Sequence, residues 1–154
     1  EHDIKPFCIE KDIGIICYST LAQGLLTGRY NNVSEVPEGV SRSRLFSKST
    51  SSLCRHNDPG CEEELFKAID DIKEFSVKSN LQPATIATTW LKKQSGVLSL
   101  LIGARNKSEV QLNINSFDYD IDDPVLDEYV SFTEKIKNHI GSNPDMWNAV
   151  SEYR

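Results

Sequence analysis

The sequence predicts an α/β domain built on a parallel sheet, and three observations carry that expectation. Two short apolar runs, Ile13-Gly14-Ile15-Ile16-Cys17 and Val97-Leu98-Ser99-Leu100-Leu101-Ile102, read as buried strands. Helical patterns lie between and after them, giving the order strand, helices, strand, helix, helix. Long helical crossovers join parallel strands, because a tight turn can only reverse the chain. With 154 residues, 38% hydrophobic and 26% charged, the chain has the composition of one compact domain.

The first run ends in Tyr18-Ser19-Thr20 and is followed by a glycine-bearing stretch. Pro59 and Gly60 break the chain ahead of a helix expected over 62–78, with Leu65, Ile69, Ile72 and Phe75 on one face. Glu62, Glu63 and Glu64 fall in its first turn, where the helix dipole favours carboxylates. Pro83 suits the first turn of the next helix, whose pattern runs through Trp90 and Leu91 to Gln94 before Ser95-Gly96. After the second strand, Asn106 and Glu109 form a capping-box-like start, with Val110, Ile114 and Phe117 expected as the buried face. Asp123-Pro124 opens one last helix carrying Leu126, Tyr129, Thr133, Ile136 and Ile140 to Gly141.

Two strands are too few for this many apolar helical faces, since sheets usually have about four to six. The chain also begins Glu1-His2-Asp3 without methionine, which suggests either processing or the back part of something longer.

Charge and cysteine usage narrow the function. Twenty-three acidic against 17 basic residues give a net charge of −6, which argues against nucleic-acid or anionic-membrane partners. No apolar run approaches the ~18 residues of a membrane span. Cys8, Cys17, Cys54 and Cys61 contain no CxxC pair; Cys54, His56 and Cys61 could supply three metal ligands, but structural zinc wants closer pairs and a fourth ligand, so the thiols read as plain reduced cysteines. Reduced thiols and a cytoplasmic location are the expectation. Asn32-Val33-Ser34 and Asn106-Lys107-Ser108 both fit the glycosylation sequon, a triplet that arises often by chance.

Three stretches could carry chemistry. At Ile102-Gly103-Ala104-Arg105-Asn106-Lys107 a strand ends and a helix begins beside two cations; this is either an anion site or an ordinary turn with a solvated arginine. Residues 21–30 place Gly24 and Gly28 after the first strand without a GxGxxG or P-loop pattern, and Tyr18 there is a stacking platform or a half-buried rim residue. Residues 31–57 form a long aperiodic loop; from 41 to 56 it holds Arg42, Arg44, Lys48, Arg55 and six serines but no acid. It is an anion-facing lid or a flexible, solvated surface loop. Strand ends in α/β folds are where ligands sit, so all three stretches could converge on one anion.

Two of these stretches closely resemble a known family. Tyr18-Ser19-Thr20-Leu21-Ala22-Gln23-Gly24-Leu25-Leu26-Thr27-Gly28-Arg29-Tyr30 resembles the motif after the seventh strand of aldo-keto reductases, and Ser99 to Asn113 resembles the eighth strand and helix. The helix from Pro83 to Gln94 is similar to the segment between them. The ending Gly141-Ser142-Asn143-Pro144-Asp145-Met146-Trp147 resembles the tail of the bacterial-type branch that includes potassium-channel β-subunits.

The resemblance implies an NADPH-dependent oxidoreductase that reduces aldehydes or ketones by hydride transfer. Its fold is a (β/α)8 TIM barrel of about 250 residues, of which this chain supplies about two strand–helix units and a C-terminal helix, an incomplete barrel. Residues 1–154 are then one partial reductase domain, with 31–57 as the cofactor latch and 141–154 as the C-terminal tail. By the same resemblance Tyr18 stacks on the nicotinamide. Ser19, Leu21, Gln23 and Gly24 line the pyrophosphate with help from Arg29, and Arg42 belongs to the latch. Gly103 and Arg105 meet the adenosine 2′-phosphate, while Glu109 and Asn113 face the adenine. Thr20 stands where the family usually has proline, Glu109 where it has glutamine, and Leu112 where it has glutamate.

The family's proton-donating tetrad lies in earlier strands, so no catalytic residue and no metal ligand are assigned here. The carbonyl substrate would be held by the parent barrel, whose missing N-terminal strands are the chain's expected partners. The isolated chain is expected to bind NADPH weakly or not at all and to reduce no carbonyl. The alternative is a nucleotide-binding regulatory or interaction subunit resembling the channel β-subunits.

Overall fold

The computed structural model describes residues 2–143 and 145–147. Pro144 and residues 148–154 of the expected tail lie outside that description, as does Glu1. The described elements run α1 (Ile4–Glu10), β1 (Ile15–Cys17), α2 (Glu62–Ser79), α3 (Pro83–Lys92), β2 (Val97–Leu100), α4 (Lys107–Ser116), α5 (Asp123–Ser131) and α6 (Glu134–Ile140). β1 and β2 pair in parallel, with Ile15 opposite Val97 and Cys17 opposite Leu100 and an irregularity between Ile15 and Ile16. The α/β class and the parallel pairing therefore stand.

Helix α2 organises the core because its apolar residues recur at helical spacing. Leu65, Ala68 and Ile69 pack with Leu25, Phe46 and Ile136, while Ile72 and Phe75 pack with Ile86, Ile121, Leu126 and Tyr129. Phe75 meets Phe132 edge-on at 5.6 Å between ring centroids. Residues 83–89 of α3 are all buried, so this helix runs through the middle of the molecule. Its Thr85 hydroxyl reaches Ser116 of α4 at 3.1 Å.

Several expectations need correction. The strands are not buried: Ile16 is 55% and Leu98 76% exposed, and Ile13 lies outside β1. A strand is buried only by what packs on it, and among the described residues this sheet has two strands. Val110, Ile114 and Phe117 are likewise open to solvent, lining a groove with Leu100 and Ile102. The expected last helix is two, because Phe132 and Thr133 separate α5 from α6 and the Thr133 hydroxyl bonds back to the Val130 carbonyl. Helix α1 was not anticipated; its Lys5 reaches Gln94 at 2.8 Å.

The 31–57 loop is packed rather than loosely solvated. Phe46 is fully buried, and Ser41, Ser43, Ser51 and His56 are buried with it. Its cations are largely spent within the chain. Arg44 pairs with Asp58 and donates to the carbonyls of Ile140 and Asn143, and Lys48 bonds Asn57. Both sequon asparagines are helix caps: Asn32 accepts from the Ser34 amide and Asn106 from the Glu109 amide. All four cysteines are free thiols, and burial pushes Cys61 up to about 11. Among the described residues no group of three ligands is placed to hold a metal ion, and no helix is long and apolar enough to cross a membrane.

Candidate functional site

Both strands deliver their following residues to one cleft of about 490 Å³, a ligand-sized volume. Ser19, Leu21, Gln23, Gly24 and Arg29 enter it from beyond β1; Gly103, Arg105, Glu109 and Asn113 enter from beyond β2 and the first turns of α4. The chain turns sharply after β1. Ser19, Ala22 and Gln23 have φ of 52°, 46° and 55°, and Gly24 has φ of 95°. Left-handed conformations of non-glycine residues carry strain and cluster at functional sites.

The donor set suits an anionic ligand. Arg29 and Arg105 bring guanidinium groups, and the N-terminus of α3 opens on the cleft through Gln82, Pro83 and Ala84. Gln82 makes no side-chain cap there, so the dipole's positive end is left to another acceptor. At Gly103 a Cβ would meet nothing within 4 Å, which leaves that backbone open to close approach. Thr20 also lines the cleft, and its buried hydroxyl has no hydrogen-bond partner among the described residues. These features fit a phosphate-bearing cofactor.

Helix α4 is held to the cleft edge by a small network. Asn113 donates to the Gly103 carbonyl at 3.3 Å. The Glu109 carboxylate accepts from the Arg105 amide at 2.8 Å and from the Arg105 guanidinium through Nε and Nη2. That guanidinium hydrogen bond holds the Glu109 carboxyl below its usual range.

Two of the eleven expected residues lie elsewhere. Tyr18, 74% exposed, borders an adjoining apolar pocket of about 270 Å³ with Met146 and Trp147, which shares Ser19 and Gln23 with the cleft. Arg42 stacks on the Trp147 ring at 4.9 Å. Conversely, Thr27, Gln82, Pro83, Ala84, Leu101 and Ile102 line the cleft although the sequence assigns none of them to the cofactor. Pro83 at a helix start was the available signal for the α3 contribution.

The Aldo/keto reductase family profile matches residues 1–134. The chain belongs to the aldo/keto reductase family. Among its relatives, an Escherichia coli protein named NADH-specific methylglyoxal reductase is 26% identical over 126 residues, 80% of this chain and 34% of that protein. A probable voltage-gated potassium channel subunit beta from Arabidopsis thaliana is 26% identical over 144 residues, 94% of this chain and 40% of that protein. The solved glycerol dehydrogenase of Gluconobacter oxydans superposes with a TM-score of 0.62 at 21% identity, over 92% of this chain and 40% of its own. This last likeness speaks to the fold. The aldo/keto reductase chain thus spans well under half the length of these relatives.

Proposed function

We propose that this chain is the cofactor-binding C-terminal portion of an NADPH-dependent carbonyl reductase. One observation supports the reading above the others: nine of the residues assigned to the cofactor by family resemblance line a single cleft at the C-terminal ends of both strands. When bound, the nicotinamide supplies the hydride for reduction of an aldehyde or ketone. The chain's own residues do the holding. Ser19, Gln23 and Arg29 bind the pyrophosphate, aided by the uncapped start of α3. Arg105 takes the 2′-phosphate, exchanging Glu109 for it, and Gly103 lets that end of the cofactor approach the backbone. Tyr18 offers its open ring for stacking on the nicotinamide, and Arg42 belongs to the latch over it.

Proton donation to the carbonyl oxygen is assigned to the remaining strand–helix units of the barrel, which pair along the free edges of β1 and β2. The exposed Ile16, Leu98 and Leu101 support that arrangement, because a covered sheet would bury them. The four free thiols accord with a reducing, cytoplasmic setting. A second reading, a nucleotide-binding regulatory subunit, draws on the channel-subunit relative, which matches 94% of this chain.

Arg105→Ala tests the cofactor reading. Titrated into the chain, NADPH should lose at least about tenfold in affinity, as expected for removing a charge-assisted phosphate contact, while NADH changes little. Equal losses for both would contradict the 2′-phosphate role.

A further inference from the structure

We propose that Glu109 sets the choice between a 2′-phosphate and a 2′-hydroxyl at the adenosine end of the cleft, by occupying the Arg105 guanidinium that the phosphate needs; the proposal rests on the dinucleotide reading above. Dinucleotide sites tell the two cofactors apart with opposite chemistries. A carboxylate accepts a hydrogen bond from the ribose 2′-hydroxyl, and an arginine pairs with the 2′-phosphate. Here both groups line one cleft, four residues apart, and each already holds the other.

The carboxylate is held at this place by more than the guanidinium. It accepts from the Arg105 backbone amide at 2.8 Å as well as from the guanidinium, and its own residue is fixed by the Asn106 cap at 2.9 Å. A phosphate arriving at Arg105 must therefore displace Glu109 from the guanidinium and then stand beside its negative charge. A 2′-hydroxyl meets no such obstacle, because it donates to the carboxylate and leaves the ion pair in place. Both side chains keep contact with solvent, at 63% and 31% exposure, so the pair is an exchangeable one that tunes the preference. One relative of this chain carries the name NADH-specific methylglyoxal reductase and another the name aldo-keto reductase yakc [NADP(+)], so both preferences occur among the proteins it resembles.

The test uses adenosine 2′,5′-bisphosphate and adenosine 5′-monophosphate as probes, titrated into the ¹⁵N-labelled chain and followed at the Gly103 and Asn113 amides. Glu109→Gln keeps the size of the side chain and an acceptor for the Arg105 amide while removing the charge. It should raise the preference for the 2′-phosphorylated probe by about five- to tenfold, the scale of an exposed ion pair plus a removed like charge. Glu109→Ala should move the preference in the same direction. In an Arg105→Ala background Glu109→Gln should raise the preference by clearly less, about two- to threefold, because only the like-charge part of the effect remains without the guanidinium. If both probes shift those amides but Glu109→Gln leaves their ratio alone, the proposal fails and the dinucleotide reading stands. A ratio that rises equally without Arg105 also overturns it. If the probes shift amides elsewhere while Gly103 and Asn113 stay unmoved in every version, the proposal and the reading beneath it fall together.

Discussion

Arg44 and Asp58 form an ion pair, Nε to Oδ2, with side chains only 13% and 27% exposed. The same guanidinium donates to the carbonyls of Ile140 and Asn143, and the Arg44 amide donates to Met146. One side chain thus fastens the basic loop to the end of α6 and to the residues that follow it.

Arg44→Ala should accordingly destabilise the chain by about 2–3 kcal/mol, since it strands a partly buried carboxylate and removes charge-assisted hydrogen bonds. Urea unfolding measures this. A loss under about 0.5 kcal/mol, typical of a plain surface substitution, would contradict the fastening role.

Phe46→Ala should cost about 3–5 kcal/mol, because Phe46 is fully buried among Leu25, Leu65 and Ile69 and its removal leaves a cavity. If the 31–57 loop were instead a loose flap, the same substitution would leave the unfolding midpoint near that of the parent chain.

Gly60→Ala should also be strongly destabilising. Gly60 has φ of 78°, and a Cβ there would collide with the Ser47 nitrogen and the Phe46 carbonyl carbon. The conformation alone costs about 1–3 kcal/mol for a side-chain-bearing residue. Thermal unfolding should show a clear drop in midpoint, and none would mean that the turn relaxes freely.

The Arg105–Glu109 pair has a defined pH dependence. Its carboxyl is held below the usual glutamate range, so its contribution is present above the unfolded-state value and is lost as pH falls through the lower folded value. Carboxyl ¹³C titration should place Glu109 below a free glutamate, and Arg105→Ala should return it toward the ordinary value. An unchanged titration in that variant would show that the pair does not hold the proton off.

Local chemistry was legible in the sequence wherever neighbouring residues decide it. The apolar spacing of α2, Pro83 at the start of α3 and the Asn106 cap of α4 each specify their element through contacts a few residues apart. Burial of the strands was not legible, because Ile16 or Leu98 is covered only by other strands and helices. The same holds for Val110, Ile114 and Phe117, whose helical pattern is genuine but whose opposing surface is absent among the described residues. At the break between α5 and α6 the Thr133 amide and hydroxyl both donate to the Val130 carbonyl, a local arrangement the apolar pattern does not encode. In the cleft, the strand-end motifs pointed to Gly103 and Arg105. The pairing of Arg105 with Glu109 needed coordinates, since either side chain could equally have faced solvent.

The most direct test of the central claim is an amide chemical-shift map of the ¹⁵N-labelled chain titrated with NADPH. A dinucleotide cleft predicts weak, saturable shifts at Ser19, Gln23, Gly24, Gly103, Arg105 and Asn113, on both sides of the gap between the strand ends. Shifts confined to the basic loop or scattered over the surface, with those six amides unmoved, would contradict it.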